Sequence, residues 1–252
     1  NNWDELGQLA ITFNQMLDRI EKGFTVQKQF ISNAAHELRN PITAIWGHAQ
    51  LALRQPRTGE EYSEVIKNIQ QKAADLQKIV ERLLLLSRMD AAADGFNREA
   101  VSVDEVLFDA VAAVQQRQLD DKVPIQVQID EVENGSFTVL GDAVMLGVAF
   151  QNLIENAVKY GNKKPVKVAL HTSEKAVLVQ VADTGLGMGD ALPHLYQPFF
   201  RTEGVRHIPG TGIGLTLVKR IMDWHRWHID FRPNHPTGTI VVVTAPHHQP
   251  NS

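Results

Sequence analysis

The spacing of apolar residues changes near residue 91, and this change limits the folds open to the chain. From Tyr62 to Ser87, core-type residues recur every three or four positions, which is the seven-residue repeat of a coiled-coil helix. Beyond residue 95, several stretches alternate apolar and polar residues with a period of two, as half-buried strands do. The sequence therefore predicts a purely helical part followed by a mixed α/β part.

The helical part is predicted to be a hairpin of two long helices. Gln55 to Gly59 has the composition of a turn, and Thr58 with Glu61 offers a capping box for the second helix. Pro41 lies inside the first helix, so a bend or local loosening is expected near residues 37–41. The first helix carries two apolar sets on helical faces: Leu9, Phe13, Met16 and Ile20, then Ile31, Ala34, Leu38, Ile42 and Ile45.

The second helix has more apolar surface than one hairpin can cover. Beside its heptad seam runs a further apolar stripe of Val65, Ile79 and Leu86. Two hairpins that pair as a four-helix bundle bury both stripes. We therefore expect a homodimer that forms through residues 9–88.

The second part is predicted to be an α/β sandwich, with one mixed sheet and helices on one of its faces. Alternation predicts strands at Ile125–Ile129, within Val166–Val181 and at Thr239–Thr244. Helical periodicity returns across residues 102–117, 142–160 and 212–225. The whole chain is thus expected to be a multi-domain protein.

Composition excludes several classes of function. The net charge of -4 provides no basic surface for nucleic-acid phosphates, so no nucleic-acid partner is expected. The absence of cysteine excludes disulfides and thiolate metal sites. No apolar run approaches the roughly 18 residues of a membrane-spanning helix, and the N-terminus has no signal-peptide pattern. The chain is interpreted as a fragment of a longer protein.

Three short elements of the second part carry side chains suited to a nucleotide. Asn152, Asn156 and Lys159 share one face of a helix, where amide oxygens suit Mg²⁺ and the ammonium suits phosphate. Asp183 to Gly187 (DTGLG) follows a predicted strand, and a carboxylate there can accept from the exocyclic amine of a base. Gly210 to Leu215 (GTGIGL) opens a helix whose free N–H groups can hold phosphate.

Each of these elements is weak evidence by itself. An asparagine on a helix is usually exposed or locally hydrogen-bonded, and Asp-x-Gly-x-Gly is often an ordinary turn. The glycine run lacks the lysine and spacing of a Walker P-loop and comes too late for a dinucleotide fingerprint. The order and spacing of the three elements together indicate a nucleotide site.

These elements resemble the boxes of the GHKL (Bergerat) ATP-binding fold, which histidine kinases share with DNA gyrase, a heat-shock chaperone and a mismatch-repair ATPase. The resemblance covers residues 97–246. Asn152 to Tyr160 resembles the N box, Asp183 to Gly187 the G1 box and Gly210 to Leu215 the G2 box. Tyr196 to Arg201 (YQPFFR) resembles the F box that precedes the ATP lid.

The resemblance implies a role for each matching residue. Asp183 is expected to bond the adenine amine, Asn156 to ligate Mg²⁺ and Tyr160 to lie against adenine. Phosphate contacts are implied for Asn152, Lys159, Arg201 and Arg206. Further cofactor-binding residues for ATP are expected at Gly185, Gly187, Gly210, Thr211, Gly212, Gly214 and Leu215. The segment from Thr202 to Pro209 is short for such a lid, and Pro209 replaces a more usual small residue.

The helical part contains a second signature, from Phe30 to Pro41 (FISNAAHELRNP). It resembles the H box of the dimerisation and phosphotransfer domain of sensor histidine kinases. His36 falls off the apolar face and should point to solvent, where a neutral imidazole can act as a nucleophile. Glu37 can hold the far ring nitrogen as general base. In relatives the residue at the position of Asn40 orients water for dephosphorylation of the partner regulator.

A lone exposed histidine usually has no chemical role. We apply that reading to His48 in the same helix and to four histidines near the end of the sequence: His225, His228, His247 and His248. For His36 the adjacent Glu37, the proline five residues on and the downstream pocket together favour the acceptor role.

The opening residues from Asp4 to Leu17 resemble the last helix of a HAMP linker, which connects a membrane sensor to a kinase. The resemblance thus divides the chain into a HAMP-like helix at 1–22, a phosphotransfer hairpin at 23–92 and a catalytic domain at 96–247. The expected protein is the cytoplasmic portion of a bacterial inner-membrane sensor that is membrane-anchored through a missing N-terminal part.

The expected function is two-component signal transduction by a protein histidine kinase, a phosphotransferase. The chain would use ATP and Mg²⁺ to become a phosphoprotein at His36. It would then pass the phosphate to an aspartate in the receiver domain of a cognate response regulator, with phosphatase activity toward that regulator.

Three alternatives have to be weighed. A GHKL ATPase that couples hydrolysis to dimer clamping, and a serine kinase of the mitochondrial dehydrogenase type, share the fold but have no need of the His36–Glu37 helix. A nucleotide-binding scaffold without transfer is disfavoured by the presence of Asp183, Asn156, His36 and Glu37.

Overall fold

A computed structural model describes residues 2–91, 98–118, 122–130, 137–173, 175–188, 194–202, 204, 208 and 210–247. The chain divides into two compact units, residues 1–81 and residues 82–252. Each unit is described by itself below.

The first unit is built from two helices. Helix α1 spans Asn2–Arg54, and helix α2, which begins in this unit, spans Gly59–Ala91. The predicted capping box forms at the start of α2, since the Thr58 N–H donates to Glu61 Oε2 at 2.8 Å and the Glu61 N–H donates to Thr58 Oγ1 at 3.3 Å. Helix α1 is continuous through Pro41, so the expected loosening does not interrupt it.

The helical hairpin leaves many apolar side chains in contact with solvent. Ala34 and Ile79 are buried, whereas a larger group on both helices is exposed: Phe13, Met16, Ile20, Phe24, Ile31, Ile42, Trp46, Ile66, Val80 and Leu84. An exposed apolar surface of this extent on a protein usually marks an interaction face. Among the described helices, none is long and apolar enough to span a membrane.

The second unit contains a five-stranded mixed sheet with the order β2-β4-β5-β7-β6. Only β2 and β4 run parallel. The strands are β2 (Ile125–Ile129), β4 (Val166–Thr172), β5 (Ala176–Ala182), β6 (His228–Pro233) and β7 (Thr239–Pro246). The pairing of β4 with β5 places Val168 opposite Val181 and Leu170 opposite Val179, all of them buried, so one face of the sheet is apolar.

The expectation of a single sheet was incomplete. A separate antiparallel pair consists of β1 (Glu99–Ser102) and β3 (Thr138–Gly141). Each of these strands has only four residues, which is too short for a period of two to be distinguished from a loop. The α/β class with a GHKL-type arrangement is nevertheless confirmed.

Three helices complete the second unit: α3 (Val103–Arg117), α4 (Ala143–Tyr160) and α5 (Gly214–His225). Helix α4 packs between α3 and α5 and contacts β4 and β5. Its apolar side chains form the centre of the core, where Leu146, Phe150 and Ile154 are fully buried. This packing fixes α4 in place, and α4 carries the N-box residues.

Candidate nucleotide site and phosphoacceptor

The N box lies on the C-terminal half of α4. The helix begins at a good cap, since the Met145 N–H donates to the Asp142 carboxylate at 2.9 Å. Asn156 and Lys159 are half-buried beside the apolar face that packs into the core. The amide and the ammonium are therefore held on a helix that cannot rotate without disrupting the core.

Asn152 links the N box to the G2 box. Its side chain is only 4% exposed, and its Nδ2 donates to the Val148 carbonyl at 2.7 Å. A Cβ at Gly214 would lie 2.8 Å from Asn152 Oδ1, so the start of α5 packs directly on this amide. The structure thus brings two of the predicted elements together and buries Asn152 between them.

Lys159 and Tyr160 connect the N box to the first glycine of the G2 box. The Lys159 ammonium donates to the Tyr160 hydroxyl at 3.0 Å and lies 4.7 Å from the centre of its ring. A Cβ at Gly210 would stand 2.0 Å from Lys159 Nζ, so the Gly210 backbone lies against the end of the lysine side chain.

Asp183 follows the last residue of β5 and is 8% exposed. Its Oδ1 accepts from the Gly185 N–H at 2.8 Å and from the Thr239 N–H at 3.3 Å. None of the described residues donates to its Oδ2. Burial raises the pKa of this carboxyl, and the two backbone N–H groups oppose the rise.

The G1 box meets the N box at backbone contact. A Cβ at Gly185 would lie 1.8 Å from the Tyr160 carbonyl oxygen, which no side chain could tolerate. Gly187 has φ +70°, a left-handed conformation that suits glycine. All three predicted elements therefore meet within the second unit.

The F box is attached to the G2 box and to α5. The Phe199 N–H donates to the Gly212 carbonyl at 3.0 Å, and a Cβ at Gly212 would fall 2.8 Å from the Phe199 Cα. Thr216 Oγ1 donates to the Tyr196 carbonyl at 3.1 Å. Within the G2 box, Thr211 Oγ1 accepts from the Ile213 N–H at 3.4 Å, and Leu215 is half-buried.

Of the two arginines assigned to the phosphates, only Arg201 is among the described residues. Arg201 is half-buried and donates to the Ile208 carbonyl, so its guanidinium lies across the short lid segment. Arg206 and Pro209 lie outside the described residues. The sequence assigned Arg201 only to the phosphates and did not anticipate its bond to the lid backbone.

The candidate phosphoacceptor lies on α1 in the first unit. His36 and Asn40 are exposed, as predicted for His36, and Glu37 is half-buried. Asn40 lies four positions after His36, so the two side chains lie on the same face of the helix. Both the imidazole and the amide are accessible to solvent in this unit.

His225 was assigned no chemical role, and the structure gives it a packing role instead. It is buried, its Nδ1 lies 2.8 Å from the Ile221 carbonyl, and its Nε2 accepts from the Asp142 N–H at 3.0 Å. These contacts require the neutral ring with the proton on Nδ1. Burial lowers the pKa of His225.

Two residues that hold Asp183, Thr239 and Asn234, were not predicted from the sequence. Thr239 was identified only as the start of a strand. Asn234 lies among residues that favour turns, between Pro233 and Gly238. The only available signal was that a strand pair ending at Ala182 and Ile240 must place the neighbouring turn beside Asp183.

The donor set fits ATP with Mg²⁺. Among the described residues no group of three His, Asp or Glu side chains could hold a metal alone. Mg²⁺ in nucleotide sites is typically held by one or two protein oxygens, with phosphates and water completing its shell. The half-buried Asn156 amide, close to Lys159 on the same helix face, matches that pattern.

Comparison with known proteins agrees with this arrangement. Residues 26–92 match the family described as the His Kinase A (phospho-acceptor) domain. Residues 141–249 match the family of histidine kinase-, DNA gyrase B- and HSP90-like ATPases. This second domain implies that the chain binds ATP.

Among similar proteins are two sensors, each aligned over 249 residues. The sensor protein IrlS of Burkholderia pseudomallei is 31% identical, and the alignment covers 96% of this chain and 50% of IrlS. The sensor histidine kinase CusS of Escherichia coli O157:H7 is 32% identical with the same coverage. The chain therefore spans about half the length of these curated relatives.

The fold also has solved counterparts. The histidine kinase ThkA, solved in complex with the response regulator protein TrrA, is 21% identical with a TM-score of 0.64. The match covers 90% of this chain and 63% of ThkA. At this level of identity the likeness concerns the fold.

Proposed function

Because the chain belongs to the protein histidine kinases of two-component systems, we propose that it transfers the γ-phosphoryl group of ATP to its own His36. One observation carries the proposal. The chain combines an exposed His36, followed by the half-buried Glu37, on α1 with an α/β unit in which the N, G1 and G2 boxes meet. An acceptor and a donor site on one chain suit autophosphorylation.

The α/β unit is proposed to bind the nucleotide at both ends. The Asp183 carboxylate would accept from the adenine amine, and the Tyr160 ring would lie against the base. Lys159, together with the N–H groups at the start of α5, would hold the phosphates. When bound, Mg²⁺, held by the Asn156 amide, neutralises phosphate charge.

At the acceptor, a ring nitrogen of His36 is proposed to form the bond to the γ-phosphorus. The bond from that phosphorus to the β–γ bridging oxygen breaks at the same time, and ADP leaves. Glu37 accepts the proton from the other ring nitrogen, which keeps the phosphorylated imidazole neutral at that position. Because His36 is exposed, the reaction needs no opening of the helical unit.

Hydrolysis of ATP is a less suitable function for this site. Activation of water requires a general base, and Glu155 is the one carboxylate within the N box. Glu155 Oε1 pairs instead with Arg117 at 2.9 Å. The pairing favours transfer to His36 over a clamp-type ATPase.

The test is incubation of the chain with γ-labelled ATP and Mg²⁺, with wild type compared to His36→Gln. We expect acid-labile, alkali-stable label on wild type and none on the variant. His48→Gln, a substitution on the same helix, should keep the label. Label that persists on His36→Gln would assign the acceptor elsewhere, and nucleotide binding without label on any of these proteins would favour the scaffold.

The partner of the phosphorylated protein is proposed to be a receiver domain, to which His36 passes its phosphate. The complex of ThkA with the response regulator TrrA makes such a partner reasonable for this chain. We further propose that Asn40 orients water during dephosphorylation of that receiver. Asn40→Ala should lose phosphatase activity and keep autophosphorylation, and full phosphatase activity in this variant would contradict the assignment.

Homodimerisation through residues 9–88 is proposed on the basis of the exposed apolar faces of α1 and α2. The sequence-based division into a HAMP-like helix at 1–22, a hairpin at 23–92 and a catalytic domain at 96–247 stays a prediction, as does membrane anchoring of the whole protein.

A further inference from the structure

The connection between β6 and β7 contains a polar side chain that the proposed function does not use. Pro233 and His235 are exposed, but Asn234 between them is half-buried. Its side-chain Nδ2 donates to the main-chain carbonyl of Asp183 at 2.7 Å. The contact joins residues that are 51 positions apart in the sequence.

The rest of this connection also holds Asp183. The Asp183 N–H donates to the Thr239 carbonyl at 2.9 Å, and Asp183 Oδ1 accepts from the Thr239 N–H at 3.3 Å. Two of these three contacts are made by main-chain atoms of Thr239 and would survive most substitutions. The Asn234 bond depends on one amide group.

The main chain of this turn is in close contact with the main chain of Asp183. The Asn234 N–H closes the turn by donating to the Gly238 carbonyl at 3.0 Å. A Cβ at Gly238 would lie 2.1 Å from the Asp183 carbonyl oxygen, and Gly238 has φ +122°. Because the turn and Asp183 share this contact, a shift of one displaces the other.

The Asp183 carboxylate is a buried group that water does not stabilise fully, as the burial-raised pKa indicates. A buried carboxylate points toward the donors that it can reach. The position of its main chain decides which donors these are. The Asn234 amide holds the main-chain carbonyl, and the Gly185 and Thr239 N–H groups hold Oδ1. With Oδ1 held, Oδ2 has one direction.

We propose that Asn234 is a positioning residue that sets the direction of the Asp183 carboxylate and thereby the preference of the site for a 6-aminopurine. This inference rests on the proposed function, in which Asp183 reads the adenine amine. Asn234 itself touches no part of the reacting groups. Its effect should therefore appear in base selectivity and affinity, with the rate of the bound complex unchanged.

The experiment measures direct binding of two triphosphates to the full chain by calorimetry: ATP, and purine riboside triphosphate, which lacks the 6-amino group. In Asn234→Ala we expect ATP affinity to fall about 3- to 10-fold, the loss typical of one hydrogen bond, and affinity for the analogue to change less than about 2-fold. Asn234→Asp sets an acceptor against the Asp183 carbonyl and should lower ATP affinity by about 10-fold or more.

Two further variants separate positioning from folding. Thr237→Ala changes an exposed residue of the same turn and should leave the ratio of the two affinities at its wild-type value. Asn234→Gln keeps the amide donor on a longer side chain and should restore part of the selectivity. These ratios are independent of how much protein is folded, because both ligands bind the same folded fraction.

The outcomes distinguish this inference from the function on which it rests. An equal loss of both affinities in Asn234→Ala would mean that the residue only supports the turn, which overturns the inference and leaves the proposed function intact. Equal affinity of the wild type for both triphosphates would mean that the 6-amino group is not read. In that case the assigned role of Asp183 fails, and the role of Asn234 fails with it.

Discussion

Glycines of the helical unit and glycines of the α/β unit have different surroundings. A Cβ added at Gly23 or Gly47 in α1 would meet nothing within 4 Å. A Cβ added at Gly185, Gly212 or Gly238 would lie within 3 Å of main-chain atoms. The proposed phosphoacceptor is thus a local feature of a helix surface, whereas the candidate nucleotide site depends on backbones that approach each other from distant parts of the sequence.

The largest effect is expected for a substitution at a glycine of the α/β unit that lies against a distant part of the main chain. Gly185→Ala puts a methyl group 1.8 Å from the Tyr160 carbonyl oxygen, so the G1 and N boxes must separate. We expect a loss of about 3 kcal/mol or more in unfolding free energy and no detectable ATP binding. Gly47→Ala in α1 is the matched control, and it should stabilise its helix by up to about 1 kcal/mol. Urea unfolding and calorimetric titration with ATP measure both.

If Gly185→Ala kept ATP affinity while its stability fell, the two boxes would be joined only for folding. The close backbone contacts of the α/β unit would then matter for folding and not for nucleotide binding. If Gly47→Ala were as damaging as Gly185→Ala, the helical unit would depend on close contacts that the single chain does not contain.

A second prediction concerns the exposed apolar face of the helical unit. Ile66 is 62% exposed in the single chain, and in a four-helix bundle it would be buried twice, once in each protomer. Ile66→Lys should weaken the dimer by about 2–4 kcal/mol, because two apolar contacts are lost and a charge enters the interface.

The control for Ile66→Lys is Val144→Lys, which changes a 78% exposed apolar residue of the α/β unit. Sedimentation velocity over a range of concentrations should show a shift toward monomer for the first variant and no shift for the second. If Ile66→Lys dimerised as strongly as wild type, the predicted heptad seam would not be part of the dimer interface.

These two regions also differ in how far the sequence alone could describe them. Heptad spacing and the Thr58–Glu61 capping box predicted the helical hairpin because helices are specified by residues three or four apart. Strands β2, β4, β5 and β7 and the three helices of the α/β unit were predicted for the same local reason, whereas the six-residue strand β6 was not predicted. The four-residue strands β1 and β3 escaped because they are stabilised by a partner far away in sequence.

The residues of the candidate site also divide into those that the sequence predicted and those that it could not predict. Asn156, Lys159 and Asp183 stand in short motifs whose side-chain chemistry is visible in the sequence. The contact of Asn234 with Asp183 could not be predicted, because a Pro-Asn-His-Pro-Thr-Gly stretch has the composition of any turn. What such a turn touches follows only from the order of strands in the sheet.

A third prediction contrasts the buried acid with the exposed histidine. Asp183→Asn keeps the shape of the side chain and removes its charge, so ATP affinity should fall by about 10- to 100-fold, the range for a hydrogen bond to a charged group. Because burial raises the pKa of Asp183, its ionised form costs folding energy near neutral pH. The variant should therefore be as stable as wild type or more so.

The matching substitution in the other unit is His36→Gln, which should change neither ATP affinity nor stability because the side chain is exposed. Calorimetric titration and thermal unfolding give the four values needed. A fall in stability for Asp183→Asn would mean that its hydrogen bonds with Gly185 and Thr239 outweigh the cost of burying its charge.

The smallest expected effect is a loss of stability in acid, which should arise from the buried His225 in the α/β unit. Its pKa is lowered mainly by burial and further by the nearby Arg98 charge, and the Ile221 carbonyl and Asp142 oppose this shift. The folded state thus keeps the ring neutral at pH values where the unfolded chain already binds a proton. Stability should be complete above about pH 6.5 and fall as the pH drops below that value toward the lowered pKa.

Urea unfolding at pH 7.5, 6.5 and 5.5 should show this loss, which cannot exceed about 1.4 kcal/mol for each pH unit because one proton is taken up. His225→Gln, which cannot titrate, should lose this part of the pH dependence, although its stability at pH 7.5 is lower because the Asp142 N–H loses a well-placed acceptor. The exposed His228 is the matched control, and His228→Gln should keep the wild-type slope. Equal slopes in wild type and His225→Gln would mean that the pKa of His225 does not differ between the folded and the unfolded chain, which would contradict the prediction.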